Sequence, residues 1–264
     1  MSTTIFEVKD HVAYITLNRP KSMNALNPEL RHELSEHLDE VESNRDIWLA
    51  VISGNGNKAF CAGMDLKHRA DLVNATEEQQ EIWQRMHEDT IPLNERWDFP
   101  KPIIAKVNGY ALGGGLELAL ACDIIIASEN SEFGLPEPRR GLIAGGVGVH
   151  RLPRQIGLKP AMGYLLTGRH MPAQRAYELG LINEVVSAEK LDGTVEAWVQ
   201  DILLCSPMAI RATKQVAMQG LNKPLPDAFA TAYEFETARA KSDDAVEGPQ
   251  AFAEKRKPNW TGFN

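Results

Sequence analysis

The stretch Ile103–Ala127, IIAKVNGYALGGGLELALACDIIIA, decides the fold. Ile103–Val107 has the apolar, β-branched make-up of a buried strand. Gly113-Gly114-Gly115 reads as a turn, Leu116–Cys122 as the start of a helix, and Ile124–Ala127 as another buried strand after Asp123. Strand, glycine turn, helix and strand in that order predict an α/β fold of repeated units. Consecutive glycines let a ligand come close to the backbone. The helix that follows sets its positive end there, where a developing negative charge is favoured. Glu117 stands about one turn into that helix. Read from the residues alone, it is either a working carboxylate or a first-turn acid favoured by the dipole, and the spacing leaves both open.

The same grammar extends in both directions. Ile5 to Leu17 predicts two short strands, with Val12, Tyr14 and Thr16 alternating against Ala13, Ile15 and Leu17 and Lys9-Asp10 as the break. Asn27 is placed as an N-cap, Pro28 at the first helical position and Glu29 in the first turn. That helix runs to about Ser43 with Leu30, Leu34, Leu38 and Val41 on one face. Ile47–Ser53 follows as a buried strand closed by Gly54-Asn55-Gly56. Residues 76–97 read as one helix from a capping signal at Thr76. From Ser206 onward the pattern is helical, with Pro207 and Pro224 marking helix starts and Pro249 a punctuation point. The expected division is a core over 1–203 and a helical region over 204–264.

Composition narrows the classes. The chain has 264 residues, 43% hydrophobic and 24% charged, with a net charge of −8, so an ordinary globular protein is expected and a nonspecific polyanion-binding surface is not. Three scattered cysteines without a CxxC predict no disulfide framework. The start, MSTTIFEVKD, lacks a basic region and apolar run, and the end, TGFN, carries no retention or peroxisomal address. A reduced, cytoplasmic protein with no membrane segment is the expectation.

Several motifs fail on geometry. His32 and His37 lie five residues apart, roughly 140° around a helix at about 100° per residue, so they cannot share a metal face and are expected to be solvated. There is no GxxxxGK[ST] and no GxSxG, and Gly145-Gly146-Val147-Gly148 does not complete GxGxxG. Cys61 is expected to be a small buried thiol. What survives is a constellation. Ala59–Ala62 is strand-like and leads through Gly63 to a helix start at Met64-Asp65, a second turn of the Gly113–Gly115 kind. One amide from each turn would make a pair of oxyanion donors. Glu137, on a proline-fixed turn, supplies a second carboxylate beside Glu117. Such a set suits water addition or proton transfer next to a carbonyl. Spacing alone does not bring the groups together.

The stretches Phe60–Lys67, Asn108–Glu117 and Phe133–Glu137, in this order, resemble the crotonase (enoyl-CoA hydratase/isomerase) superfamily. The likeness runs from about Val12 to Trp260. It includes Asn18-Arg19-Pro20-Lys21, Asn24-Ala25-Leu26, Lys101–Ala105, Cys122-Asp123, Gly180-Leu181 and the tail Glu247–Arg256. The resemblance implies a spiral of β-β-α units with a helical C-terminal region that builds trimers, commonly paired as hexamers. It implies an oxyanion hole from the amides of Met64 and Gly114, with Glu117 and Glu137 as catalytic residues. Ala62, Asp65, Leu66 and Lys67, with Lys21 and Ser22, match the segments that contact coenzyme A. The expected substrate is an acyl-CoA thioester, with no separate cofactor, metal or nucleic-acid partner. Both glutamates point to an enoyl-CoA hydratase, with Glu137 protonating C2 and Glu117 activating water. Carnitinyl-CoA dehydratase, an isomerase, and a noncatalytic or RNA-binding homologue are the alternatives.

The chain departs from the family at Ala144, where a proline is frequent, and at Val147, where a glycine is frequent. Gly145 is expected to keep the turn that helps to bind the water. Arg139-Arg140 is read as a solvated or interface pair, or alternatively as a basic rim selecting a polar acyl group. Residues 68–97 are expected over the acyl chain, with Trp83, Met86 and Trp97 as candidate lining.

Overall fold

The computed structural model describes residues 2–71 and 75–262, without the side chains of 69–71 and 87. Two sheets carry the chain. The larger runs in spatial order β1 (Thr4–Lys9), β2 (Val12–Leu17), β3 (Leu49–Gly54), β5 (Ile103–Val107), β7 (Ile124–Ser128) and β10 (Glu184–Val186). The smaller contains β4 (Ala59–Cys61), β6 (Tyr110–Leu112), β8 (Glu132–Gly134) and β9 (Met171–Pro172). β1 and β2 form an antiparallel pair, and the successive neighbours β2, β3, β5, β7 and β10 are parallel. Three times the chain lays one strand in the large sheet and the next in the small one, at β3–β4, β5–β6 and β7–β8. This is the β-β-α spiral that the resemblance implied.

The strand sequences explain why the large sheet is covered on both faces. Ala50 and Ile52 of β3 point into the main core with Ile15, Ile103 and Ala105, whereas Leu49 and Val51 join Val12, Ile104 and Ile126 on the other side. The second face is closed by Leu191, Val195 and Val199 of α8 (Leu191–Leu203). A strand buried on both sides loses polar alternation and becomes the near-continuous apolar run seen at Ile103–Val107.

Helix α1 (Pro28–Ser43) begins as expected: the Asn27 side chain accepts from the Leu30 N–H at 3.2 Å, and Pro28 occupies the first turn. Leu30, Leu34, Leu38 and Val41 are buried. Its far end is closed by Lys101, fully buried, whose Nζ donates to the carbonyls of Val41 and Asn44 at 2.6 Å each. Burial, aided by the charge of Arg211, pushes the Lys101 ammonium down to about 8.

After α2 (Leu66–Asp71), the helix expected over 76–97 ends early. α3 spans Glu77–Glu88, and a separate 3-10 turn covers Leu93–Glu95. Pro92, which has no N–H to donate, stands between them and prevents one continuous helix. α4 (Gly114–Ala121) confirms the helix read after the triple glycine. α5 (Gly148–Ile156), α6 (Leu158–Thr167) and α7 (Ala173–Glu178) lead to α8. The C-terminal part comprises α9 (Pro207–Gly220), α10 (Leu225–Ala230), α11 (Glu234–Arg239) and α12 (Asp243–Ala253). Pro249 lies inside α12 rather than punctuating the chain. Lys214 of α9 binds the Asp123 carboxylate at 2.7 Å and the Lys101 carbonyl at 2.8 Å, which ties this part to the core. Among the described residues no helix is long and apolar enough to cross a membrane.

Candidate active site

Two glycine turns meet backbone to backbone. Gly63 has φ +86°, and a Cβ there would lie 2.6 Å from the Leu112 carbonyl oxygen and 2.9 Å from the Gly114 nitrogen. No other residue fits both the conformation and the gap. Leu26 fixes the first turn from outside: its N–H donates to the Gly63 carbonyl at 2.8 Å and its own carbonyl accepts from Asp65 at 3.0 Å. A Cβ placed on Gly114 would stand 3.7 Å from the Met64 nitrogen. The backbones of Met64 and Gly114 are therefore neighbours, and Gly114 opens α4, whose first amides have no intrahelical acceptor.

Glu117 sits one turn into α4 and is only 7% exposed. Its Oε1 accepts from the Gly148 N–H at 2.9 Å, and the Gly146 amide also bonds the carboxylate. Burial raises its pKa, the two amides pull it back, and the charge of Glu137 adds to the rise. Glu137 begins a 3-10 turn, Glu137–Arg140, flanked by Pro136 and Pro138. Burial raises its pKa too, opposed by a hydrogen bond from its own backbone and by the charge of Arg140. Its Oε1 faces the glycine turn, 2.9 Å from where a Cβ on Gly113 would lie. Its Oε2 is buried and has no hydrogen-bond partner among the described residues. The two carboxylates thus share a desolvated setting but not a hydrogen-bond environment.

The loop before α5 supplies residues that sequence reading did not single out. Glu117 is met by the amides of Gly146 and Gly148, whereas Gly145 donates to the Ile143 carbonyl at 2.8 Å. A Cβ on Gly146 would collide with the Glu117 carboxylate. Asn94 Nδ2 holds the Gly146 carbonyl at 2.9 Å, and Arg151 reaches the Asn94 carbonyl at 3.4 Å and the Leu120 carbonyl at 3.5 Å. The glycine cluster was visible in the sequence; its register against Glu117 was not. Val147 takes the left-handed φ of +78° that a glycine would adopt freely.

A cavity of about 530 Å³ opens beside these groups, lined by Leu26, Met64, Trp83, Met86, Gly114 and Glu117 among others. Trp83 and Met86 face it as expected. Trp97 does not: it is 62% exposed, with the Arg151 guanidinium 5.4 Å from its ring centre.

The residues matched to coenzyme A contact lie on two joined loops. Lys21 and Ser22 are exposed in a 3-10 turn, Pro20–Ser22, and Leu66 and Lys67 are exposed at the start of α2. Ala62 N–H donates to Met23 at 3.0 Å, and Asn24 bonds the Ala59 carbonyl at 2.9 Å. Asp65 pairs with Arg19 at 2.9 Å and caps the His68 N–H at 3.2 Å. Burial alone would raise the Asp65 pKa, but the Arg19 bond and charge, with the backbone amides of His68 and Lys67, hold it below the usual value.

The readings of Cys61, His37 and Arg139-Arg140 can be set against their surroundings. Cys61 is a buried thiol pushed up to about 12 by desolvation. His37 is not merely solvated: it stacks on Phe6 at 4.6 Å and meets Thr4 Oγ1 at 2.8 Å. Arg139 is exposed and anchored on the Thr167 carbonyl at 2.7 Å, and neither it nor Arg140 lines the cavity. Among the described residues no group of three His, Cys, Asp or Glu side chains is placed to hold a metal.

Comparison with known proteins agrees with this architecture. The enoyl-CoA hydratase/isomerase family model matches residues 7–263. The (E)-benzylidenesuccinyl-CoA hydratase of Thauera aromatica is 40% identical over 256 residues, which is 97% of this chain and 98% of that protein. The carnitinyl-CoA dehydratase of Citrobacter koseri is 37% identical over 94% of each chain. The crystal structure of enoyl-CoA hydratase from Mycobacterium tuberculosis H37Rv superposes with a TM-score of 0.88 at 37% identity, covering 99% of this chain and 100% of that one. With the spiral and its paired glycine turns in place, the chain belongs to the enoyl-CoA hydratase/isomerase family and is an enzyme of the hydro-lyase type.

Proposed function

We propose that the protein adds water across the C2–C3 double bond of a 2-enoyl-CoA to give a 3-hydroxyacyl-CoA. The observation that carries this reading is the unlike pair of carboxylates beside the two glycine turns, Glu117 buried and Glu137 half-buried with its Oε2 enclosed. The thioester oxygen sits between the amides of Met64 and Gly114. The Glu117 carboxylate, held by Gly146 and Gly148, takes a proton from water as the hydroxyl oxygen bonds to C3. The double-bond electrons move onto the thioester oxygen, where the amide pair and the helix end stabilise the enolate. Glu137 in its acid form gives its proton to C2, and the enolate collapses to the thioester. Burial suits Glu137 to hold that proton, since among the described residues its Oε2 has no partner to stabilise the charge. A proton returns from Glu117 to Glu137 through solvent before the next turnover, so that water and enoyl thioester alone balance the reaction, and coenzyme A enters as part of the substrate. Lys21, Ser22, Ala62, Asp65, Leu66 and Lys67 contact its carrier arm, and Gly145 belongs to the turn that positions the water.

Dehydration of a 3-hydroxyacyl-CoA is the same path reversed, and the likeness to a carnitinyl-CoA dehydratase supports that direction equally. We also propose that residues 204–264 assemble the core, residues 1–203, into a trimer or a pair of trimers. The support is Leu225, Phe229 and Phe252 on the C-terminal helices, 82%, 92% and 87% exposed, an apolar surface costly to leave in water. The test is incubation with crotonyl-CoA in oxygen-18 water. Hydration consumes the enoyl-thioester absorbance and places the label at C3. Loss of absorbance without label, or a migrated double bond, would replace hydration by another reaction.

A further inference from the structure

The cavity beside Glu117 contains a cation that water addition does not use. Arg31 of α1 lines it together with Leu34 and Ser35, three and four residues on and therefore on the same helix face. The acids that share the lining are Glu117, Asp65 and Glu95. Glu117 is held by the amides of Gly146 and Gly148, Asp65 is paired with Arg19, and Glu95 is exposed. Glu29, close to Arg31 in sequence, accepts from Asn27. Among the described residues no carboxylate forms an ion pair with the Arg31 guanidinium.

A second polar group of the same lining is also unmatched. His68 of α2 has a buried Nε2 with no hydrogen-bond partner among the described residues. Its ring meets Trp83 edge-on, 4.5 Å between centres, so it is held in the cavity wall by packing. The rest of that wall includes Leu34, Trp83, Met86 and Leu93, against which a half-buried cation with no carboxylate partner among the described residues is unfavourable. A guanidinium matches a planar carboxylate through two parallel hydrogen bonds, and an imidazole N–H supplies a further donor.

We infer that the acyl group received by this cavity carries a carboxylate of its own, bound by Arg31 with His68 as the second donor. The inference rests on the reading of the cavity as the acyl-CoA site. A phosphate of coenzyme A is the other anion an arginine could meet. Of the residues matched to coenzyme A, Lys21, Ser22, Ala62, Leu66 and Lys67 lie outside this lining; Asp65 lies within it but its carboxylate is taken by Arg19, and Glu117 lies within it too, so Arg31 shares the cavity with the reacting carbons.

Calorimetric titration of wild type, Arg31→Met and Arg31→Lys with unreactive glutaryl-, succinyl- and butyryl-CoA separates the sources. The wild type is expected to bind one of the two carboxylated esters about tenfold tighter than butyryl-CoA, the yield of one charge-assisted contact. Arg31→Met should bring that ratio close to one, and Arg31→Lys, which keeps the charge and loses the fork, should keep part of it. No preference in the wild type overturns the inference. So does an equal weakening of all three esters, which would put Arg31 on the phosphates or in the fold. Should Arg31→Met not fold, the Arg31→Lys ratio decides between the same outcomes. Hydration of crotonyl-CoA is assayed alongside. An Arg31-dependent preference in a protein that hydrates nothing leaves the subsite and removes the reaction, and hydration without preference does the reverse.

Discussion

The floor and the wall of the cavity are made in different ways. The floor, from Gly63–Met64 through Gly113–Glu117 to Gly146–Gly148, is almost entirely backbone: amides, positive-φ turns and gaps that admit no Cβ. The wall, α1 with α2 and α3, is made of side chains such as Arg31, Trp83 and Met86, which project from amphipathic helices. A backbone site tolerates little change and fixes a reaction. A side-chain wall can change residue by residue while the reaction beneath it stays the same.

The sharpest way to break this contrast is Gly146→Ala. Its Cβ would enter the space of the Glu117 carboxylate, and a displacement of that order costs about 10²-fold in turnover. Affinity for butyryl-CoA should hold. A near-wild-type rate would show that Glu117 needs no fixed cradle. On the wall the matching change is Trp83→Ala, which removes apolar contact with the acyl group and should raise KM about tenfold with a smaller effect on kcat. If kcat fell and KM stayed, the wall would belong to the reaction and the contrast would collapse.

Legibility follows the same division. The triple glycine before Glu117 and Gly63 before Met64 were readable because only glycine satisfies such turns. The Asn27 cap and the apolar face of α1 were readable because capping and period are local. The amides that meet Glu117 were not, since Gly145, Gly146 and Gly148 look alike until Asn94 and the left-handed Val147 set the register. Arg31 was passed over because one cation on a helix has no signature, and only packing shows that its face turns toward a cavity. The three-residue strands β6 and β8 were missed because their pairing with β4 and β9 is tertiary. Pro249 misled because a proline reads as a break, whereas here it lies inside α12, whose start at Asp243 has no side-chain cap to mark it.

Two smaller effects sharpen the account of the floor. Burial raises the Glu137 pKa above its ordinary 4.5. The favourable contribution of such a group is complete below that value and is lost as pH rises through the raised pKa. Glu137→Gln should therefore melt no lower than wild type at pH 8, and lose any advantage below about pH 4.5. Melting curves across pH check this, and a variant that gains stability only in acid would reverse the sign. Val147→Gly releases a β-branched residue from φ +78° and should stabilise the fold by about 1 kcal/mol, the strain less the flexibility that glycine adds to the unfolded chain. Denaturant titration reads it, and a clear destabilisation would mean that the Val147 side chain packs better than its backbone suffers.

The central claim, that two unlike carboxylates divide one hydration between them, is tested most directly by three rates and one label. Crotonyl-CoA hydration is measured for wild type, Glu117→Gln and Glu137→Gln, with deuterium uptake at C2 followed in heavy water. Each variant should lose at least about 10²-fold in kcat, the worth of one positioned acid or base, while still binding butyryl-CoA. Deuterium should enter C2 in the wild type alone. A Glu137→Gln enzyme that hydrates and labels C2 at near the wild-type rate would contradict the account.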